Sequence, residues 1–218
     1  MASQLFGRKP LARSRQLRQR LFAWMLFHVA PQHDRALADQ KRSLLNGLSG
    51  TVIEIGPGTG VNFSYYPSDV EWIGVEPNIF MHPYLLHEAR RTGLKATIHA
   101  KSADQLDFAT SSADVVVCTL VLCSVRNPKT VLQEIYRVLR PGGRLIFIEH
   151  VAGPPGTWLR RGQRMLRPVW KILADGCHPD RETLKTISDV GFSRLRAQEI
   201  LLPIPWFGPH VFGTAWKE

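Results

Sequence analysis

The first residues whose types and spacing can do chemistry are Glu54-Ile55-Gly56-Pro57-Gly58-Thr59-Gly60. Three glycines at every second position make a tight turn, and a backbone without Cβ atoms lets a ligand approach closely. Twenty-two residues on from Glu54 stands Glu76, a carboxylate that can accept hydrogen bonds from both hydroxyls of a ribose. Lys101-Ser102-Ala103-Asp104 follow, and then Asp114. Position 61 is Val61, so the third glycine comes one place too early for the dinucleotide pattern Gly-x-Gly-x-x-Gly. NAD is therefore the weaker ligand for this turn.

The elements that must hold these residues are legible from their periodicity. Thr51–Ile55 is a short β-branched run that stops at the glycines, as a buried parallel strand does. Further strands are predicted at 72–75, 97–99, 114–120 and 144–149, with a helix over 128–139 capped by Pro141-Gly142-Gly143. Helices are predicted at 157–173 and 181–190, and strand-like pieces at 195–202 and 210–216. Upstream, an apolar stripe at 17, 21, 25 and 28/29 predicts a helix, and a second helix spans 35–45. Strands alternating with helices imply an α/β fold: a Rossmann-like, seven-stranded, mostly parallel sheet with an antiparallel C-terminal hairpin and helices on both faces. Two regions are expected: basic N-terminal helices over 1–49, and the domain proper over 50–218, with substrate-covering helices near 157–190.

From Val52 to His150 this arrangement resembles the class I S-adenosylmethionine-dependent methyltransferases. The resemblance implies S-adenosyl-L-methionine as cofactor. It assigns Glu54, Gly56, Gly58 and Gly60 to the amino-acid part of the cofactor, Glu76 to the ribose, and Ser102 and Ala103 to the adenine. Cys118 and Leu120 fall where the fourth strand opens under the methionine portion. Several runs also resemble the alkyl thiol S-methyltransferases: Val115–Val125, Glu149-His150-Val151, Thr157-Trp158, Asp175-Gly176-Cys177, Arg181-Glu182-Thr183 and Pro209-His210. That likeness implies a small apolar thiol, or hydrogen sulfide, as methyl acceptor.

A thiol with a pKa of about 8.5 is only a few per cent thiolate at neutral pH, so a base or a positive field beside it would help. His150, just past the fifth predicted strand, is the first candidate for a base or orienting group, and Asp175 the second. Cys177 is the third, as pocket wall or sensor of thiol state. Each has a plainer reading: a satisfied structural histidine, a turn before a helix, a packed thiol. Cys118 and Cys123 lie in an apolar run and read first as buried packing residues.

Composition narrows the classes. With 44% hydrophobic and 21% charged residues the chain can bury a core, which excludes general disorder. The net charge of +10 divides into +7 over 1–49, −1 over 50–150 and +4 over 151–218. A neutral middle with basic ends argues against nucleic acid as partner, and no Asn/Asp-Pro-Pro-Tyr-like run is present to hold a flipped base. The basic ends beside Phe22, Trp24, Leu26 and Phe27 suit either a lid over the cofactor or peripheral contact with an anionic membrane surface. No apolar run approaches the roughly 20 residues of a membrane span. Three cysteines without regular spacing make no disulfide framework and no zinc-ligand pattern, so a reducing cytoplasmic setting and no metal are expected. Two other functions remain open at this level. One is a lipid- or quinone-directed methyltransferase working at a membrane. The other is a non-catalytic adaptor that binds the cofactor without turnover.

Overall fold

The computed structural model describes residues 13–204 and 206–218; the basic residues Arg8 and Lys9 lie outside them. Its strands are β1 (Thr51–Ile55), β2 (Glu71–Val75), β3 (Ala96–His99), β4 (Ala113–Thr119), β5 (Leu139–His150), β6 (Arg194–Leu201) and β7 (Pro209–Trp216). They form one sheet in the order β3-β2-β1-β4-β5-β7-β6. The first five are parallel, and β7 runs antiparallel to both β5 and β6. This is the seven-stranded sheet with its C-terminal hairpin that the residue pattern predicts.

The helices are α1 (Arg13–Ala36), α2 (Ala38–Leu45), α3 (His82–Thr92), α4 (Pro128–Val138), α5 (Trp158–Leu173) and α6 (Thr183–Ser188). Strand parity sorts the β4 side chains between two cores. Val116 and Cys118 join Ile135 and Leu132 of α4 on one face, whereas Val115 and Val117 join Trp72, Phe63 and Leu85 on the other. The α4 helix starts at Asn127, whose side chain accepts from the N–H groups of Lys129 and Thr130, with Pro128 in its first turn. Its buried residues Val131, Leu132, Ile135 and Val138 make one stripe at helical spacing.

Several boundaries differ from the sequence reading. The α4 helix ends at Val138 because Leu139 turns extended (φ −65°, ψ 137°), and Pro141-Gly142-Gly143 belongs to β5 rather than to a helix cap. Distant pairing decides this: Gly142 donates to the Lys217 carbonyl at 2.7 Å, and Lys217 donates back to that of Gly143 at 2.9 Å. The α1 helix continues through Pro31 to Ala36, past the expected start of the second helix at Arg35. The α6 helix is shorter than 181–190, and α3 fills the helical link between β2 and β3 for which the alternation of strands and helices gives no bounds. In α1 the stripe of Leu17, Leu21, Met25 and Val29 faces outward, while Ala23 is buried.

β1 and β4 are neighbours, yet their outgoing connections run to opposite sides of the sheet, leaving a crevice at their carboxyl ends. The glycine turn, Glu76 at the end of β2 and His150 at the end of β5 all lie along that edge.

Candidate active site

The turn after β1 is held by Gly56 N–H donating to the Val75 carbonyl at 2.9 Å. Gly56 has φ +61°, and a Cβ there would sit 2.5 Å from Val121 Cγ2. Any side chain would therefore be strained in the backbone and would collide with the loop that leaves β4. That loop begins at Leu120, which has φ +55° and donates its N–H to the Ile148 carbonyl at 2.8 Å. A non-glycine residue in this conformation at the end of a strand is a mark of a functional edge.

Three buried carboxylates organise the crevice. Glu54 is fully enclosed and accepts from Asn62 Nδ2 at 2.7 Å, Tyr66 Oη at 2.8 Å and Trp72 Nε1 at 3.0 Å. Burial raises its pKa against those donors. Its role is to anchor the floor beneath the glycines. Glu76 faces the turn itself: Oε2 accepts from Gly58 N–H at 3.1 Å and Oε1 from Asn78 N–H at 2.8 Å. Burial pushes its pKa up to about 7, the two N–H groups work against that, and the charges of Asp175 and Glu54 add to it. Each oxygen keeps lone-pair capacity for a hydroxyl donor. Glu149, which residue patterning did not single out, accepts from Val121 N–H at 2.9 Å, Leu122 N–H at 2.8 Å and Cys123 N–H at 3.4 Å. It fastens the loop after β4 to the end of β5. Burial raises its pKa to about 7, opposed by those donors.

The inner side of α1 crosses this crevice. Leu26 Cδ2 lies 3.3 Å from where a Gly58 Cβ would be, Asn78 Nδ2 donates to the Gln19 carbonyl at 3.1 Å, and Phe27 stacks on Tyr84 of α3 at 4.5 Å. Asp175 sits in the turn after α5 with φ +44°. Burial raises its pKa, countered by Arg18 and Arg15 of α1. Its electrostatic partners are thus α1 and Glu76.

On the other side of the crevice His150 and Cys177 meet, with Cys177 Sγ 3.6 Å from Nε2. Cys123 joins them: one donor atom from each of the three residues lies within 4.8 Å of the others, the Cys123 thiol also reaches the Leu120 carbonyl at 3.5 Å, and all three residues are buried. Burial acts to lower the His150 pKa, but Cys123 and Glu149 outweigh it and the net shift is upward. His210 lies behind His150 with ring centres 5.9 Å apart, and His33 of α1 is 5.3 Å from His210. Burial pushes His210 down to about 4, which keeps it neutral. Phe207, stacked on Trp170 at 3.8 Å, gives this region an aromatic wall.

Two assigned cofactor contacts need correction. Cys118 is fully buried in the α4-side core, and the Ala103 methyl packs into the same core. Ser102 is exposed and bonded to Asp104 at 3.0 Å. A shallow hollow at the ends of β2 and β3 is lined by Val75, His99, Lys101, Gln105, Leu106, Asp107 and Phe108, of which only Lys101 lies in the run quoted from the sequence. Cys123 was read as packing, and neither His210 nor His33 was anticipated in the cluster. Two of its members, His150 and Cys177, are among the candidates the sequence offers.

The residues present fit an adenosyl sulfonium carrying an amino acid. The glycine turn leaves backbone exposed to a ligand, Glu76 offers acceptor capacity for ribose hydroxyls, and Asn62 Oδ1 is a buried acceptor without a partner among the described residues, suited to an ammonium donor.

Comparison with known proteins agrees. The methyltransferase domain family matches residues 53–147. Human thiol S-methyltransferase TMT1B is 40% identical over 209 residues, covering 90% of this chain and 86% of that protein. A phosphatidylethanolamine N-methyltransferase from Cereibacter sphaeroides is 29% identical over 114 residues, covering 51% of this chain and 56% of that protein. Among solved structures, the [4+2]-cyclase SpnF superposes with a TM-score of 0.67 at 19% identity, covering 84% of this chain and 80% of that one. That likeness concerns the fold alone. The length and level of the first match identify the chain as a member of the thiol S-methyltransferase family, within the class I S-adenosylmethionine-dependent methyltransferases.

Proposed function

We propose that this protein transfers the methyl group of S-adenosylmethionine to the sulfur of a small, apolar thiol. The observation that carries this reading is the extent of the likeness to the thiol S-methyltransferase. It spans 90% of the chain and so includes the acceptor side, whereas the lipid-directed relative matches only 51%. When bound, the cofactor supplies an activated methyl on a sulfonium centre. Glu76 holds the ribose, and Glu54 and Asn62 steady the turn beside the methionine end. His150, with Cys177 and Cys123 beside it, orients the acceptor sulfur. Phe207 and Trp170 favour an apolar substituent on that sulfur. The α1 helix acts as the lid: it swings away for cofactor entry and then excludes water.

The test is a radiolabelled methyl assay with short aliphatic thiols, run beside anionic liposomes and quinols as acceptors. Transfer to thiols, reduced by about 10²-fold or more in His150→Ala, is expected. Turnover of lipid or quinol with none of thiol would overturn the assignment, and cofactor binding without any turnover would make the chain an adaptor.

The outward faces of α1 and α5 support a second element of the proposal, a peripheral seat on an anionic membrane surface in the cytoplasm. Trp158 and Met165 of α5 are 81% and 74% exposed, and Leu17, Leu21 and Trp24 of α1 are also exposed. Arginines 13, 15, 18, 20, 161 and 164 accompany them, whereas Arg160 and Arg167 pair with Glu182 and Asp180. Among the described residues no helix is long and apolar enough to cross a membrane. An apolar stripe flanked by cations suits interfacial binding. Sedimentation with phosphatidylserine vesicles should show binding that weakens with salt and falls about tenfold or more when Trp24 and Trp158 are both changed to Glu. Equal binding by that double variant would remove the membrane seat.

A further inference from the structure

We propose that Cys123, Cys177 and His150 form a binding site for a thiophilic divalent cation, zinc above all, and that the coordination position they leave open receives the sulfur of the acceptor. This rests on the thiol reading above and gives that site its chemistry.

The geometry is close to what such an ion needs. The donor atoms of the three residues lie within 4.8 Å of one another. Zinc bonds of about 2.3 Å to sulfur and 2.0–2.1 Å to nitrogen give a tetrahedron with S–N edges of about 3.6 Å and S–S edges of about 3.8 Å. Cys177 Sγ and His150 Nε2 already stand 3.6 Å apart. At most about 1 Å of contraction then brings Cys123 onto the same ion. Two thiolates and an imidazole are a soft donor set that selects zinc over magnesium or calcium.

The backbone around the donors is pinned. Glu149 holds the Cys123 N–H, and His178 N–H donates to the Cys123 carbonyl at 2.9 Å. Cys177 N–H donates to the Ala174 carbonyl at 3.0 Å. Two cysteines and one histidine with a fourth position free is the composition of a catalytic zinc site; a structural site is closed by a fourth protein ligand. The site also lies next to the cofactor turn. Cys123 lies two residues beyond Val121, whose side chain rests against Gly56 of the cofactor turn.

The chemistry then balances without a redox change. The acceptor R–SH gives its proton to water as its sulfur takes the open position, because a coordinated thiol ionises readily. A lone pair on that sulfur forms the new carbon–sulfur bond to the methyl group. The methyl–sulfonium bond breaks, and its electron pair stays on the departing sulfur. The neutral thioether that results is a weaker ligand than the thiolate and leaves. His150 serves here as a ligand, and the ion rather than the imidazole lowers the acceptor's pKa.

Full-length protein purified under reducing conditions should carry about one zinc ion per chain by elemental mass spectrometry. Replacing zinc by cobalt should give thiolate-to-cobalt charge-transfer absorption and the intense visible bands of a four-coordinate ion, and adding ethanethiol should shift those bands. Cys177→Ser, Cys123→Ser and His150→Ala should each weaken cobalt binding by more than the roughly 10- to 100-fold that loss of an outer-shell partner costs. Cobalt bands unchanged by Cys177→Ser overturn the proposal, as does a protein whose only stable state is a Cys123–Cys177 disulfide. Thiol methylation at full rate by chelated, metal-free protein also overturns it while leaving the thiol assignment intact. Cobalt bands that shift with ethanethiol support it even if the methyl assay fails, and in that case only the assigned transfer reaction falls.

Discussion

Replacing Glu76 by alanine is expected to weaken S-adenosylmethionine binding by about 100- to 10,000-fold, read by calorimetry, while the chain remains folded. Hydrogen bonds to a charged group are worth about 1.5–3 kcal/mol each, and the carboxylate has capacity for two from the ribose. At about 1.4 kcal/mol per decade, losing both gives that range. The variant also releases the N–H groups of Gly58 and Asn78, so the turn itself loosens. A pH series separates this account from simple loosening. Burial holds the Glu76 pKa at about 7, and the ionised form is the one that accepts from hydroxyls. Affinity should therefore fall as pH drops below about 7, by up to tenfold per unit, with a proton released on binding near pH 6. Glu76→Gln should flatten that dependence. Affinity in the wild type that is level from pH 8 to pH 5.5 would sink the assignment of Glu76.

The same raised pKa has the opposite consequence for the cofactor-free fold. A carboxyl that titrates near 7 when folded and near 4.5 when unfolded binds its proton more tightly in the folded state. Its contribution to stability is fully present below the unfolded value and is lost as pH rises through about 7. Glu76 and Glu149 both act in this sense.

Changing Glu149 to alanine should be the most damaging single substitution for the fold. It leaves three N–H groups, those of Val121, Leu122 and Cys123, without their acceptor at a fully buried position. At about 1–3 kcal/mol for each unsatisfied donor, partly relieved by water, a loss of about 3–5 kcal/mol is expected. For a chain of this size that lowers Tm by about 10 °C or more. Glu149→Gln keeps an acceptor oxygen and should lose less. A Tm within about 2 °C of wild type for the alanine variant would mean that the loop after β4 holds itself. Activity should fall further than stability, because the same loop carries Cys123 and the Val121 side chain that abuts Gly56.

Much that depends on near neighbours along the chain was legible in the sequence, though helix bounds were not. The run Thr51–Ile55 followed by glycines can only be a strand ending in a tight turn, and the structure has β1 over those residues. Glu76 follows β2 because the Trp72–Val75 run sets where that strand stops. The C-terminal hairpin was legible from two strand-like pieces joined by a proline-rich loop. Tertiary structure decided the rest. Cys123, His150 and Cys177 are successively 27 residues apart, on the loop after β4, the end of β5 and the turn after α5, so no spacing rule could unite them. The parity of β4 sends Cys118 into the core although it stands one residue from the crevice-edge Thr119. The face of α1 that covers the glycine turn, and the three donors that converge on Glu149, were likewise set by which surfaces meet once the sheet is closed. Local conformation follows from short-range sterics and hydrogen bonding, but a site is a meeting of distant segments, and only the path of the whole chain brings them within bonding distance.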